Sequence, residues 1–497
     1  MEYFVNCNSA SLNPIAGSLD KQKAEHLYRR LGFSASVDTI TNAVGQNVSA
    51  YVDNLIAEAI SMPGIATPTW ANWTGADYPE DNDAKSQITT EQKREFINLY
   101  INGLVTNNLK DRLSFFWSNH FVTEYRNYMA PPLLYRYVDC LQRNAIGNFK
   151  DFVREIGLND AMLFYLDGVF NNGNNPNENY ARELYELFTL GEGNGYTEED
   201  IIETSRALTG WVERGEERYT PITFDPTKHD AGTKIIFGQT DTFDYDGVID
   251  NLFDQREEKI SWFICKKLYE FFIHPDSDDE ENNGNAKQIV NELAVVFRNS
   301  GFEIAEVLRV LFKSEHFYDE EAVGVIIKSP FDIYVNLINE TNFAFDEDTI
   351  ASVENTCRLL GQEIFNPPGV EGWYRDRYWI NTNFMIGRWL SAELYLQTAY
   401  NANSEQFREF AISVTPNAST ESSPDRVTDA ILGKLLPKGI AADELQNAYD
   451  VFRDDALVQY YAPPEGDGTW NLYYPGAEVL VFQLMMHIIR QPEFQLK

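Results

Sequence analysis

Cysteine and long apolar runs are both scarce in this sequence. The 497 residues include four cysteines, and no C-x-x-C or mixed Cys/His spacing occurs, which argues against a zinc knuckle or a thioredoxin-like site. No window reaches about 18 uninterrupted apolar residues, so no transmembrane helix is expected. The first residues lack a basic region followed by an apolar stretch, so no signal peptide is visible and a cytoplasmic protein is predicted.

The common nucleotide and hydrolase signatures are missing as well. The sequence contains no GxxxxGK[ST], no GxGxxG after a strand and no GxSxG, so it offers neither a nucleotide nor a flavin motif. A Ser–His–Asp triad stays open, because triads assemble from distant positions. The cofactor, if one is used, is therefore not specified by any local motif.

Basic residues are the third shortage. Lys and Arg number 40 against 76 Asp and Glu, which gives a formal net charge of −36 at pH 7. Such a surface repels phosphate backbones and anionic lipid headgroups, so nucleic acid and membranes are poor partners. A cationic partner, a divalent cation, or a charge that serves only solubility all fit this composition.

What is present is helical periodicity. The chain is 43% hydrophobic, enough to bury a large core, and segments such as 48–60 repeat apolar residues at i, i+3 and i+4. Two β-type segments, 218–224 and 233–238, flank the turn-rich sequence DPTKHDAG and predict a small β-hairpin. The fold class is therefore predicted to be mostly α, a multi-helical single large body with a small β-hairpin insertion.

The predicted organisation has three parts. They are a helical body over residues 1–400 with the hairpin at about 212–250, a linker-like Ser/Thr/Pro-rich segment over 401–425, and a helical C-terminal section over 426–497 packed on the body. No repeat of about 20–50 residues is visible, which argues against a solenoid.

The densest polar motif is NPNENYARELYELFTLG, at 175–191. Its opening NPNE, at 175–178, favours a helix start with Asn as the cap. Arg182 has a glutamate one turn away on either side, and Glu183 and Glu186 share a face. The two acids can be read as a carboxylate pair for acid/base chemistry or metal binding. They can equally be part of a structural ion-pair ladder on a buried helix.

The next motif, GYTEEDIIETSRALTGW at 195–211, predicts a second helix. Thr197 and Asp200 have the spacing of a capping box. Arg206 follows on the same helix, and an Arg in an apolar segment needs a carboxylate partner if it is buried. We expect Arg206 to pair with one acid of the preceding motif, with clamping of an anionic ligand as the alternative.

His229 and Asp230 lie in the turn between the two β-type segments. A loop imidazole beside a carboxylate can titrate near neutral pH, which makes this pair a candidate for catalysis. An Asp in such a turn also often caps backbone amides instead. The catalytic candidates are therefore Glu183, Glu186, Arg206, His229 and Asp230.

Aromatic residues supply the ligand-binding candidates. His120 lies in FFWSNHF beside Trp117, and a histidine there is often a satisfied core residue. Trp211 ends the second helix, and Trp373 belongs to a Trp-rich region at 359–390 that could line a sugar or peptide groove or simply close the core. The ligand-binding candidates are thus Trp117, His120, Trp211 and Trp373. No HExxH or similar spacing supports a metal site, so the identity of any metal stays unknown, with a divalent cation as the option.

An ordered series of motifs resembles the bacterial domain-of-unknown-function family 1800. The matching pieces span about residues 20–400 and are HLYRRLGF, FFWSNHF, AMLFYLD, NENYARELYELFTLG, GYTEEDIIETSRALTGW, HDAGTKIIFG, IKSPFDI, GQEIFNPPGVEGW and WINT. The sequence departs from its relatives at Leu31 and Ser34, and at Phe188, where many relatives have a histidine. The resemblance implies a soluble, mainly helical protein whose activity is unknown.

The resemblance also implies a partner. Such proteins are often encoded beside an exported family with a sulfatase- or phosphatase-like fold, which makes export to the envelope together with that partner the alternative to a cytoplasmic location. Two functions follow as hypotheses. The first is a binding or assembly protein that acts with a partner protein, and the second is a hydrolase with a carboxylate/His/Arg pocket that is metal-assisted or metal-free.

Overall fold

Helices form most of the protein. The computed structural model describes residues 11–106, 109–212, 219–275, 285–454 and 468–497. Within these ranges the only strands form two small antiparallel two-stranded sheets, so the predicted mostly α, multi-helical fold class is confirmed. None of the helices in the described part of the chain is long and apolar enough to cross a membrane.

The helices are numbered in chain order. The first eleven are α1 Lys21–Leu31, α2 Val37–Ala43, α3 Val48–Ser61, α4 Asn82–Thr106, α5 Leu109–Ser118, α6 Tyr125–Tyr128, α7 Pro131–Asn144, α8 Phe149–Gly157, α9 Asp160–Tyr165, α10 Asn179–Glu183 and α11 Glu198–Ala207. The others are α12 Tyr245–Phe272, α13 Ala286–Asn299, α14 Ile304–Lys313, α15 Pro330–Thr341, α16 Glu347–Leu359, α17 Thr382–Ala402, α18 Glu405–Val414, α19 Pro424–Leu435, α20 Ala442–Arg453 and α21 Ala477–Ile488.

The strands pair differently from the prediction. They are β1 Trp211–Val212, β2 Thr223–Phe224, β3 Lys234–Ile236 and β4 Gln239–Asp241. β2 pairs with β1, and β3 pairs with β4, so the two predicted β-type segments do not pair with each other. The reason is local, because Gly238, with a φ of +77°, supplies the tight turn that folds β3 back onto β4. The insertion also ends before Tyr245, where α12 begins.

Capping decides where the two motif helices begin. Thr197 and Asp200 form the predicted capping box, with Asp200 N donating to Thr197 Oγ1 at 3.2 Å and Thr197 N donating to Asp200 Oδ2 at 2.9 Å. The earlier helix start at 175–178 is wrong, because α10 begins at Asn179. There the side chain of Asn177, rather than that of Asn175, accepts from the Asn179 amide at 2.9 Å.

Helix α5 lies in the core of the protein. All ten residues of α5 are buried, including the charged ones. The indole of Trp117 is fully buried and donates to Ala145 O at 2.9 Å, and its ring stacks on those of Phe121 and Phe149. Trp117 is therefore a core residue, and the polar side chains of α5 lie inside the protein rather than on its surface.

A π-helical turn continues α10 through Leu184–Thr189. Its signature is the bond from Leu190 N to Tyr185 O, five residues back, at 2.8 Å. Such turns are rare and occur frequently at functional sites. Here the turn directs the Phe188 carbonyl towards α5, where it meets His120.

The last helices contact one another and α15 and α17. The segment expected to be linker-like contains α18, which packs against α19 and α21. The last residues return to the body, where Lys497 N donates to Ile326 O at 2.9 Å. This pairing places the Lys497 side chain beneath the start of α15.

Candidate functional site

Four separated segments surround one cavity, here called the motif cleft. α5 and its end, the start of α15, the loop over 361–379 and the end of α12 all contribute to its wall. The cavity volume is about 220 Å³. Three of these segments carry the motifs FFWSNHF, SPFDI and GVEGW. The motif cleft is therefore the place where three of the sequence motifs come together in space.

A buried three-charge cluster forms the floor of the motif cleft. Arg112 Nη1 lies 2.9 Å from Asp332 Oδ1, and Lys497 Nζ lies 2.6 Å from Asp332 Oδ2. The side chains of all three are at most 3% exposed. Burial alone would raise the pKa of Asp332, but Arg112 and Lys497 outweigh it and hold that pKa well below its usual range. One carboxylate thus serves two cations.

Aromatic rings hold the Arg112 side chain in place, and a backbone hydrogen bond holds that of Asp332. The Arg112 guanidinium lies between the rings of Phe33 and Phe271, with centroids 4.2 and 4.6 Å away. Asp332 caps its own helix, accepting from Ser329 N at 2.9 Å. Burial and the Arg112 charge lower the pKa of Lys497. The two cations in the floor of the cleft are therefore held in position by the fold.

A second charged group lines the cleft from α12. Glu270 binds Arg375 at 2.6 Å and lies 3.8 Å from Lys266. Lys267 lines the same wall but has no carboxylate within 4 Å in the described ranges, and its ammonium lies over the Phe263 ring at 4.9 Å. Burial, with a smaller contribution from Arg375, lowers the pKa of Lys267 to about 8. At neutral pH it remains mainly a cation.

The motif cleft opens into a wider basin of about 830 Å³. Lys267, Glu270 and Arg375 line both spaces, so these three residues form the junction. The basin continues between α12 and α13 to Arg298 and borders Gly191, just after the π-helical turn. The most diagnostic helix of the sequence therefore ends at the edge of the basin.

His120 connects that turn to the cleft. Its Nε2 lies 3.0 Å from Phe188 O, and since a carbonyl only accepts, Nε2 carries the proton. Burial, and then the Lys267 charge, lower the pKa of His120 well below its usual value, so the ring is neutral. Its buried Nδ1 has no hydrogen-bond partner among the described residues, and neither does the buried Arg112 Nε.

Aromatic side chains mark the mouth of the cleft. Trp373 is buried, stacks on Phe115 with centroids 5.2 Å apart, and donates its backbone N–H to Asn119 at 2.5 Å. Tyr374 is 54% exposed and stacks on Tyr378 with centroids 5.0 Å apart. Of the four predicted ligand-binding residues, His120 and Trp373 line the cleft, and the tyrosines beside Trp373 were not singled out.

Glu183 ends α10 and Glu186 lies on the π-helical turn, and neither lines the cleft. Glu186 binds Arg182 at 3.2 Å, and Arg182 also holds Glu198 in a two-pronged pair at 3.0 and 2.7 Å. Glu183 has no hydrogen bond or ion pair to a described residue. Burial raises its pKa, and the charges of Glu186 and of Glu371, which lines the cleft, add to that rise.

Arg206, Asp230 and His229 form a separate group. Arg206 binds Glu203 at 2.7 Å and Asp230 at 2.8 Å, so the expected pairing of Arg206 with Glu183 or Glu186 is wrong. Asp230 also accepts from Gly232 N at 2.8 Å, the capping role that was the alternative. His229 Nδ1 lies 3.0 Å from Thr209 O.

Two of the predicted ligand-binding residues, Trp117 and Trp211, do not line the cleft. Trp117 is a core residue, and Trp211 is half-buried in β1, packed on Phe224. Within the described ranges, no cluster of three His, Cys, Asp or Glu side chains is arranged to hold a metal ion. The three described cysteines are free and buried.

A different surface lies on α16 and α17. Between these helices runs a groove of about 450 Å³, here called the α16–α17 groove. Ile386, Leu390 and Leu394 follow each other at four-residue spacing along α17 and are 50%, 61% and 65% exposed. Leu359, at the end of α16, is exposed as well. Aspartates at the start of α16 line one end of the groove, including Asp348.

Sequence reasoning missed most of the cleft residues. Asp332 sits inside the quoted motif SPFDI, so its place in that motif was a usable signal. Arg112, Lys267 and Lys497 lie far apart in the sequence, and no sequence motif connects them. Their convergence depends on helix packing and on the return of the last residues to the body.

A family model described as "Protein of unknown function (DUF1800)" matches residues 26–496 of the chain. No curated protein and no solved structure matches it. The match covers nearly the whole chain, including the C-terminal section, which had supplied none of the quoted motifs. The chain therefore belongs to the DUF1800 family, as its motifs predicted.

Proposed function

We propose that this member of the DUF1800 family is a binding protein that acts with a partner protein docked along the α16–α17 groove. The observation that carries the proposal is the apolar row Ile386, Leu390 and Leu394. Half or more of each side chain is exposed, whereas single exposed apolar residues are ordinary and need no explanation. A contiguous row beside a groove has the form that accepts an amphipathic helix.

The acidic residues beside the groove and the net charge of the chain indicate a cationic partner. Asp346, Glu347 and Asp348 are exposed at the start of α16, beside the groove. A formal charge of −36 opposes association with a second copy of the same chain. The occupant that fits is a helix of another protein that presents apolar residues on one face and Lys or Arg at its flank.

The resemblance suggests where to look for that partner. We take as the candidate an exported protein with a sulfatase- or phosphatase-like fold, encoded beside the gene. Action at the cell envelope follows only if that partner is the one bound. A cationic amphipathic segment on its surface is the property that would match the groove.

The test compares two variants for partner retention. Affinity-tagged wild type is purified from the organism of origin beside Leu390→Asp/Leu394→Asp. The control is Ile60→Asp. Ile60 is also about half exposed on a helix, but it lies on α3 and not on a helix of the groove. We expect wild type and control to retain the same protein, and the double variant to lose it.

Binding is then measured with the purified partner. Expected is an affinity at least about ten-fold weaker for the double variant, and further weakening of wild-type binding by added salt. Equal retention by all three proteins, or a partner segment without cationic residues, would contradict the proposal. Self-association of the wild type that the double variant abolishes would identify a second copy as the occupant instead.

A hydrolase is the second candidate, favoured by Glu183. This carboxylate is half-buried, unpaired among the described residues, and has a raised pKa, as a general acid requires. Its neighbour Glu371 lines the motif cleft. The wild type and Glu183→Gln are assayed with 4-nitrophenyl esters, phosphates and glycosides, with and without a divalent cation. Turnover that disappears in Glu183→Gln supports this function, and equal or absent turnover removes it.

A further inference from the structure

We propose that the motif cleft binds an acidic sugar, a sugar ring that carries a carboxylate or a phosphate. In this arrangement the anionic group lies at Lys267 and Arg375, and the ring lies against Tyr374. The inference is independent of the partner-binding function, because the α16–α17 groove shares no residue with the cleft wall.

Lys267 is the first reason. It lines both the cleft and the basin, and no carboxylate of a described residue lies within ion-pair distance of it. The charge of Glu270 attracts Lys267 from beyond that distance, but Glu270 is already bound to Arg375. A largely buried ammonium that is only partly compensated in this way is unfavourable. An anion held at the junction of the two spaces would supply that compensation.

The surrounding charges point the same way. The cation Arg375 faces the junction with most of its side chain exposed, although it already binds Glu270. In the floor, Asp332 is shared by two buried cations. Four cations and four carboxylates line the cleft, and five cations and three carboxylates line the basin, so the junction is much less acidic than the chain as a whole. Arginine and lysine are the residues that recognise carboxylates and phosphates.

The mouth of the cleft provides surfaces for a ring with hydroxyl groups. Tyr374 is exposed and held flat by stacking on Tyr378, and an aromatic face packs well against an apolar ring face. Glu371 and Asp376 line the same cleft, and carboxylates accept hydrogen bonds from hydroxyl groups. The volume of about 220 Å³ is below the range typical of drug-sized ligands, so a small ring fits.

Unsatisfied polar atoms are the last reason. Arg112 Nε and His120 Nδ1 are buried under the cleft wall without partners. Buried polar atoms are nearly always hydrogen-bonded, and an exception at a cavity is commonly explained by a bound water, ion or ligand. Asn119 Oδ1 already accepts from Trp373 N, which leaves its amide N–H groups as further donors at the wall.

Isothermal titration calorimetry on the full chain tests the proposal. The probes are D-glucuronate and D-glucose 6-phosphate, with D-glucose and inorganic phosphate as controls that lack either the charge or the ring. Binding of one or both acidic sugars at least about ten-fold more tightly than both controls supports the proposal. Which of the two binds distinguishes the carboxylate from the phosphate.

Two variants locate the binding. Lys267→Met and Tyr374→Ala should each weaken binding by about ten-fold or more. Lys110→Met is the matched control, because Lys110 is a buried lysine on α5 that donates to Met62 O and does not line the cleft. If Lys267→Met does not fold, the exposed Tyr374 carries the test alone. Absent binding, equal binding of glucose or inorganic phosphate, or unchanged affinity in Tyr374→Ala overturns the proposal.

Discussion

Two regions of this molecule use the same kinds of side chain in opposite ways. The network around α10 and α11 joins Arg182 and Arg206 to several carboxylates near the surface, and Glu198 is 71% exposed. The motif cleft joins Arg112 to Asp332 in near-complete burial. Ion pairs near the surface contribute little to stability because water and salt screen them. Buried charges are expensive when unpaired, so their arrangement carries more information.

The charged residues that are most prominent in the sequence are not the ones that surround the cleft. The crowded acids and arginines of 175–211 mostly neutralise one another. The charges that surround a cavity come from α5, α12, α15, the loop over 361–379 and Lys497, and each is inconspicuous in its own segment. Proximity in sequence therefore pointed to the ion-pair network, whereas the charges of the cleft come together only through the fold.

The largest effect is expected from breaking the buried cluster. Asp332→Ala leaves Arg112 and Lys497 buried without their counter-ion, and removal of one partner of such a pair typically costs about 3–5 kcal/mol. Chemical denaturation of the variant against wild type measures the loss in the free energy of unfolding. A loss below about 1 kcal/mol would show that the cluster is solvated after all and would erase the contrast between the regions.

A smaller effect, opposite in sign, is expected at Lys267. The folded-state pKa of Lys267, about 8, lies below the ordinary lysine value of 10.5, so below pH 8 a buried charge destabilises the folded protein. Lys267→Met should therefore be more stable than wild type at pH 7, by on the order of 1 kcal/mol.

That advantage should change with pH. Between pH 8 and 10.5 the folded wild type has lost the Lys267 proton that the unfolded chain still holds, so raising the pH stabilises wild type relative to the variant. Unfolding measured at pH 7 and pH 10 should show the difference shrink. A difference that stays constant, or a variant that is less stable at pH 7, would mean that Lys267 has a counter-charge.

The smallest effect is expected in the surface network. Arg206→Met removes the pairs to Glu203 and Asp230, and because the Arg206 side chain is 26% exposed the expected loss is about 1 kcal/mol or less. The loss should fall further when the salt concentration is raised. A loss as large as that of Asp332→Ala, and insensitive to salt, would place Arg206 in the same class as the cleft charges.

Much of the fold was predictable from local pattern. Helical periodicity and the Thr197 capping box depend on residues a few positions apart, and both predicted the structure correctly. The predicted pairing of the β segments was wrong because β3 turns back onto β4 at Gly238, while β2 pairs with β1. Composition specifies neither pairing. The predicted start of α10 was wrong because the helix begins at Asn179, whose amide donates to the side chain of Asn177.

The candidate site was predictable only in part. His120 and Trp373 were singled out and line the cleft, since each lies in a motif with unusual aromatic content. Lys497 could not be found from sequence, because nothing in its neighbours indicates that it reaches Asp332, 165 positions away. Whether Glu183, Glu186, Arg206, His229 and Asp230 act in catalysis stays a prediction.

The most direct test of the central claim compares the two regions by ligand binding. D-glucuronate and D-glucose 6-phosphate are titrated calorimetrically into wild type, Lys267→Met and Asp230→Asn. If the motif cleft is the binding site and the surface network is structural, Lys267→Met loses about ten-fold or more in affinity while Asp230→Asn binds like wild type. Unchanged binding in Lys267→Met together with a loss in Asp230→Asn would contradict the account.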